Sequence, residues 1–254
     1  KRLQGSTNAY LFPNASQCSI CHSNNKKEAG SSPIGPKPRN MNRVYVNESP
    51  LGTGQSSHPV SGKNQLKFMC DTGLMTGCPS SFSLDERGVA KNVLHIPKFN
   101  KPGDSGFAAN SKQDIEARAR SYLEANCAHC HNENGQASNT GFYVDVFRPV
   151  DGSHGICKKP TASGSEGRGN RQYDIHPGMA NDSILPYRIG PEAKTLAAMM
   201  PPLGRSVVQD DAVALMTQWI NTVIDSTYKN ADACQEGGQS GTGVPLLGGL
   251  PLLP

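Results

Sequence analysis

The sequence predicts a mainly α-helical protein with long irregular loops, arranged as two tandem units that share a central helix. Three observations predict it. A Cys-x-x-Cys-His box stands twice in the chain, at Cys18, Cys21 and His22 and again at Cys127, Cys130 and His131, a domain's length apart. Only 35% of the 254 residues are hydrophobic, while Gly numbers 27 and Pro 19, a balance that favours loops over a large conventional core. Residues 111–131 read as one amphipathic helix that closes the first unit and opens the second.

Taken in order, the elements follow from local signals. Asn14 with Gln17 three residues on is a capping-box pattern, so a short helix starts there and runs into the first box. Residues 29–62, rich in Gly, Ser, Pro and Asn, read as loop. Residues 64–74 look helical through Leu66, Met69, Cys70 and Leu74, with Cys70 and Cys78 bracketing the end. Loop returns at 79–110 and carries His95, Ile96 and Pro97. The central helix begins at Ser111, shows Ile115, Ala119, Tyr122 and Leu123 at helical spacing, and continues into the second box. An irregular segment then reaches about Met179, with an alternating run at 142–147 that suggests a short strand. Residues 183–189 form a short helix, followed by Met199, Met200, Pro201 and Pro202. A closing helix spans 210–228, with Ala212, Met216, Trp219, Ile220 and Val223 on one face and Trp219 packing against the central helix.

The boxes carry the chemistry. On a continuing helix Cys127, Cys130 and His131 fall at i, i+3 and i+4, so two thiols and an imidazole share one face. Two thiols can add across the two vinyl groups of a haem while the imidazole binds its iron, the arrangement of a covalent c-type attachment. A chain of this composition holds about 0.01 such boxes by chance, so two are not coincidence. A thioredoxin-type site needs a preceding strand, which neither box has. A shared zinc cluster needs the boxes together in space, yet they are remote in sequence and each has its own His. The expectation is two covalently bound haem c groups, whose porphyrins supply the apolar volume the sequence lacks.

Charge and cysteine usage narrow the class further. The net charge of +4 is dispersed, and haem propionates would cancel it, so nucleic acid is not an expected partner. No apolar run reaches the roughly 18 residues of a membrane span. Of 8 cysteines, four go to haem; Cys70, Cys78, Cys157 and Cys234 remain, an even set that reads as two disulfides, paired 70 with 78 and 157 with 234. This implies an exported protein, periplasmic or extracellular, and the start at Lys1 reads as a mature, processed end.

The order of attachment helix, loop, short helix, Met-Pro-Pro and closing helix is similar to the class I cytochrome c plan. More closely, FPNASQCSICH, IGPKPRNMNR, NQL, EARARSYLEANCAHCH, the Cys157 region, HPGMANDSILPYRIG, MMPPLG and VALMTQWI resemble a family of exported bacterial di-haem c-type cytochromes. The resemblance implies two cytochrome c-like haem domains, 1–111 and 112–235, and electron transfer with redox partner proteins or extracellular acceptors. It implies His22 and His131 as proximal ligands and Met200, on its Pro-held loop, as the sixth ligand of the second haem, with Met199 packing in the core. For the first haem, His95 stands by position where a Met-Pro would. His58 competes, and Met41, Met69 and Met75 stay open. His129, His154 and His176 read as structural or surface residues.

Two other functions compete with the carrier. One is a di-haem peroxidase-like enzyme, which would need an open iron position with an acid or base beside it; the other is an electron-accepting partner of a periplasmic dehydrogenase. The apolar Gly/Pro-rich tail, 236–254, either covers its own domain or fills a groove on a neighbouring subunit. The second arrangement would give a homo-oligomer or a conducting filament.

Overall fold

The computed structural model describes residues 12–22, 33–46, 60–224 and 234. Among them are α1 (Ala15–His22), α2 (Pro38–Met41), α3 (Gln65–Asp71), α4 (Lys112–Asn126), α5 (Gly164–Arg168), α6 (Ile184–Ile189) and α7 (Asp210–Gln218), with a π-type turn, Trp219–Ile224, continuing α7. No sheet forms among the described residues, only isolated β-bridges joined by long loops. The expected mainly helical, loop-rich class is therefore the observed one. His58 and the tail 236–254 lie outside the described residues.

The described residues pack as two compact units, one of residues 12–22, 33–34, 98–224 and 234, the other of residues 35–46 and 60–97. The expected division at residue 111 counts attachment boxes, whereas these units reflect packing; both boxes fall in the larger unit.

That unit is organised around α4. Ser111 caps it by accepting from the Asp114 amide at 3.2 Å. Asp114, fully buried, accepts from Ser105 Oγ (2.6 Å), the Gly103 and Asn110 amides (3.0 Å each) and Arg118 Nε (2.9 Å). Burial pushes this carboxyl's pKa up, but the four donors outweigh it and hold it below the ordinary value. Ile115, Ala119, Tyr122 and Leu123 then pack against Leu215, Met216, Trp219 and Ile220 of the closing segment. The indole N–H of Trp219 donates to Glu116 on α4, which places the sole tryptophan where the sequence put it.

Three elements differ from expectation. The central helix stops at Asn126, before the second box, because the Asn126 side chain bonds the Tyr122 carbonyl (2.9 Å) and the Ala128 amide reaches back to Leu123 (3.0 Å), ending the regular ladder. The run 142–147 is extended but not a strand. Its amides go to scattered acceptors: Tyr143 to Ser153, Val144 to His131 and Val146 to the Glu124 carboxylate. The helix at 64–74 ends at Asp71, since Gly73 takes a left-handed φ of +72° and Leu74, 69% exposed, has no core to join.

Both disulfides have the expected pairing, Cys70–Cys78 and Cys157–Cys234, at sequence separations of 8 and 77. Loop-closure entropy makes the longer closure worth about 4.5 kcal/mol and the shorter about 2.5 kcal/mol.

The smaller unit is held mainly by two buried asparagines. Asn42 donates to the carbonyls of Ala90 (2.9 Å) and Val93 (2.8 Å) and accepts from the Ala90 amide (2.7 Å), while Asn64 donates to Asn42 and to the Gly88 carbonyl. Gly88 is required there: a Cβ would stand 2.4 Å from Val44 Cγ2. Met41, Leu66, Ala90 and Ile96 supply a small apolar centre.

Candidate functional site

The second box emerges from the end of α4 as a compact turn. The Cys130 and His131 amides both bond the Cys127 carbonyl, at 3.1 and 2.8 Å, but the side chains part: Cys127 and His131 line a common cleft, while Cys130 meets His129 and Cys21. Gly135 closes the turn against the Cys130 carbonyl, where a Cβ would come within 2.2 Å, so no larger residue fits.

Cys127 and His131 line a cleft together with Met200. Phe142, Ile184, Leu185 and Ile189 form apolar walls; Lys158, Asp174 and Arg188 stand at its polar parts, with Lys158 paired to Asp174 at 3.0 Å. Burial, opposed by the Lys158 hydrogen bond and charge, raises the Asp174 pKa.

His131 is held as a neutral imidazole. Burial lowers its pKa to about 4, against the hydrogen bond to Phe142, so the imidazole is uncharged at neutral pH. Its Nδ1 lies 3.2 Å from the Phe142 carbonyl, which selects the tautomer with the proton on Nδ1 and the lone pair on Nε2. Burial likewise pushes the Cys127 thiol up to about 12, leaving it protonated.

Met200 reaches the cleft on a loop pinned by two arginines that the sequence reading did not single out. Arg188 donates to the carbonyls of Ala198 (2.9 Å) and Ala197 (3.0 Å). Arg205 donates to those of Arg188 (2.8 Å), Gly190 (2.7 Å) and Met200 (3.2 Å), and the Met200 amide bonds the Arg188 carbonyl at 2.8 Å. No motif marks such residues, because their work is done through backbone carbonyls. Met199 is half-buried, neither among the core residues nor on the cleft.

The first box is placed differently. Cys18, Cys21 and His22 ride on α1, whose capping box is formed: Gln17 N donates to Asn14 Oδ1 at 2.9 Å and Asn14 N to Gln17 Oε1 at 3.0 Å. The helix buries no residue. His95 belongs to the smaller unit, where its Nδ1 lies 2.8 Å from the Asn42 carbonyl, the same tautomer-fixing contact that His131 has. Met41 is buried in that unit, and Met69 and Met75 are half-buried.

Two histidines lie off the cleft. His129 is half-buried and meets Cys130 of its own box and Cys21 of the first, with one donor atom of each within 4.8 Å of the others. His154 is fully buried, the structural of its two expected placements, with neither ring nitrogen hydrogen-bonded, and its ring stands edge-on to Trp219 at 6.0 Å.

Comparison with known proteins finds no matching family model, no matching curated protein and no matching solved structure.

Proposed function

We propose that the protein is an exported di-haem c-type cytochrome that passes single electrons between redox partner proteins or to extracellular acceptors. The observation that carries this reading is the convergence of Cys127, His131 and Met200 on one cleft. A thiol and a neutral imidazole from one box and a thioether from a loop remote in the chain are groups a covalent His/Met haem needs. The apolar walls suit a large apolar ligand, and the Lys158 and Arg188 cations suit carboxylates. The two disulfides add support for an oxidising compartment.

In this reading Cys127 and Cys130 hold one haem and Cys18 and Cys21 the other. Each pair of thiols would hold its haem through thioethers to the vinyl groups. His131 and Met200 would hold the iron of the second haem, and His22 that of the first. A bound haem would supply the one-electron couple. The thioether of Met200, a soft ligand, would favour the ferrous state and so raise the potential of the haem held there. Arg188 and Arg205 hold the Met200 loop in place.

Intact mass tests the reading: the expected gain over the polypeptide is two haems, and a gain of none overturns it. In a redox titration Met200→His should lower the upper potential and leave the lower one unchanged.

The grouping of Cys21, His129 and Cys130 favours a second reading, a soft divalent metal such as zinc on two thiolates and an imidazole. The two readings are exclusive, since thioether formation consumes both thiols. Stoichiometric zinc in a haem-free chain would establish the second.

A further inference from the structure

We propose that in the chain without haem Cys21 and Cys130 join in a third disulfide, which fastens α1 to the turn that follows α4. The proposal concerns the thiols before any attachment and rests on their placement, so it holds or fails apart from the di-haem reading.

Each box divides its two thiols between different surroundings. In the second, Cys127 lines the cleft with His131 and Met200, while Cys130 turns to His129. In the first, Cys18 is exposed and its thiol points to the Pro13 carbonyl at 3.9 Å, while Cys21 is half-buried. The remaining thiol of each box meets that of the other: the Cys21 and Cys130 sulfurs lie within 4.8 Å of each other and of a His129 ring nitrogen. Both residues belong to the same compact unit. A disulfide needs its sulfurs about 2 Å apart, which leaves an approach of no more than about 3 Å for the two side chains to make.

Backbone fixes one of the partners. The Cys130 amide bonds the Cys127 carbonyl at 3.1 Å, the Cys130 carbonyl accepts from the Ala137 amide at 3.0 Å, and the Asn132 side chain donates to the Ala128 carbonyl at 2.7 Å. The other partner can yield, because α1 buries no residue and nothing in the core resists a small shift of that helix. Pairing within a box is the competing outcome. It would have to draw Cys127 out of the cleft toward Cys130, or turn Cys18 from Pro13 toward Cys21.

The reaction is thiol–disulfide exchange with a protein or small-molecule disulfide as oxidant, the class that also closes Cys70–Cys78 and Cys157–Cys234. One cysteine attacks the oxidant and forms a mixed disulfide; the other displaces it. The two cysteines give up two electrons and two protons as their S–S bond forms, and the oxidant leaves as two thiols. The product is a covalent hold on a helix that otherwise contributes nothing to the core.

The test uses the full-length chain secreted into an oxidising compartment of a host without haem-attachment enzymes, with intact mass confirming that no haem is bound. Peptide mapping without reduction should find Cys21 linked to Cys130, and the alkylatable thiols should fall from four to two, Cys18 and Cys127. A second chain removes the competing partners: with Cys18→Ala and Cys127→Ala, oxidised glutathione should consume both remaining thiols and join them within one molecule. Maps that show Cys18–Cys21 or Cys127–Cys130, or that leave Cys21 and Cys130 unjoined in either chain, overturn the proposal. The di-haem reading is decided separately, by the mass of the chain made with attachment enzymes present.

Discussion

The two Cys-x-x-Cys-His boxes are equal as sequence and unequal as structure. The second follows a helix with ten buried residues and opens onto a cleft that also holds Met200. The first rides on an eight-residue helix that buries none. On the proposed reading a motif of this kind would specify a covalent attachment but not the environment of what is attached. The environment comes from the surrounding chain, and ligand set, burial and potential follow from it.

The sharpest way to break this comparison is to remove each attachment in turn. Replacing both Cys127 and Cys130 by Ala should delete the second haem and leave the apolar cleft beside α4 unfilled. The expected loss is on the order of 5 kcal/mol, comparable to truncating one or two large core side chains. Replacing both Cys18 and Cys21 by Ala should delete the first haem at a cost within about 1 kcal/mol, because α1 contributes nothing to the core. Thermal unfolding with haem content measured on the same samples checks both. Equal losses would mean that the first box also sits in a built pocket.

What was legible beforehand follows the same division. The capping box at Asn14, the N-cap of the central helix at Ser111, the buried face of the closing helix and both disulfide pairings rest on local spacing or on counting, and all are present. The helix end at Asn126 was not legible: it depends on a side chain capturing the Tyr122 carbonyl, an outcome decided within one turn. The run 142–147 has strand-like alternation, yet its amides pair with a carboxylate and with loops, and no periodicity foretells a partner. The site divides likewise. Cys127, His131 and Met200 could be named from motif and resemblance, whereas Arg188 and Arg205, which act through backbone carbonyls, and the meeting of His129 with Cys21 exist only once the chain is folded.

A second difference between the regions is a buried ionisable group behind α4. Burial, with Arg120 and Arg148 nearby, lowers the His154 pKa from 6.5 to about 3. Neither ring nitrogen is hydrogen-bonded, and the buried Arg120 Nε is also unsatisfied. Below pH 6.5 the unfolded chain therefore binds a proton that the folded chain refuses. The contribution of this group is complete above pH 6.5 and is lost as pH falls toward about 3. At about 1.4 kcal/mol per pK unit, the full loss is about 4 to 5 kcal/mol. Chemical denaturation of His154→Phe between pH 7 and pH 4 should show a markedly shallower acid slope than the unaltered protein. Parallel slopes would place the proton uptake elsewhere.

The smallest effect compares like with like, since both helices carry a side-chain N-cap. Asn14 accepts from the Gln17 amide at 2.9 Å and Ser111 from the Asp114 amide at 3.2 Å. Replacing either by Ala removes one such bond, worth about 1 kcal/mol to the helix concerned. The consequence for the protein depends on what the helix is packed against. In Ser111→Ala the cost falls on α4, which cannot fray without exposing Ile115, Ala119 and the Asp114 network, so global stability should drop by about 1 kcal/mol. In Asn14→Ala the cost falls on α1, which buries nothing and can open locally while the rest stays folded. Its melting temperature should stay unchanged, and only the amides of residues 17 and 18 should exchange faster, by roughly the fivefold that 1 kcal/mol implies. Equal shifts in melting temperature for the two variants would mean that α1 is joined to the core as firmly as α4. The inequality between the boxes would then lie in their ligands and not in their packing.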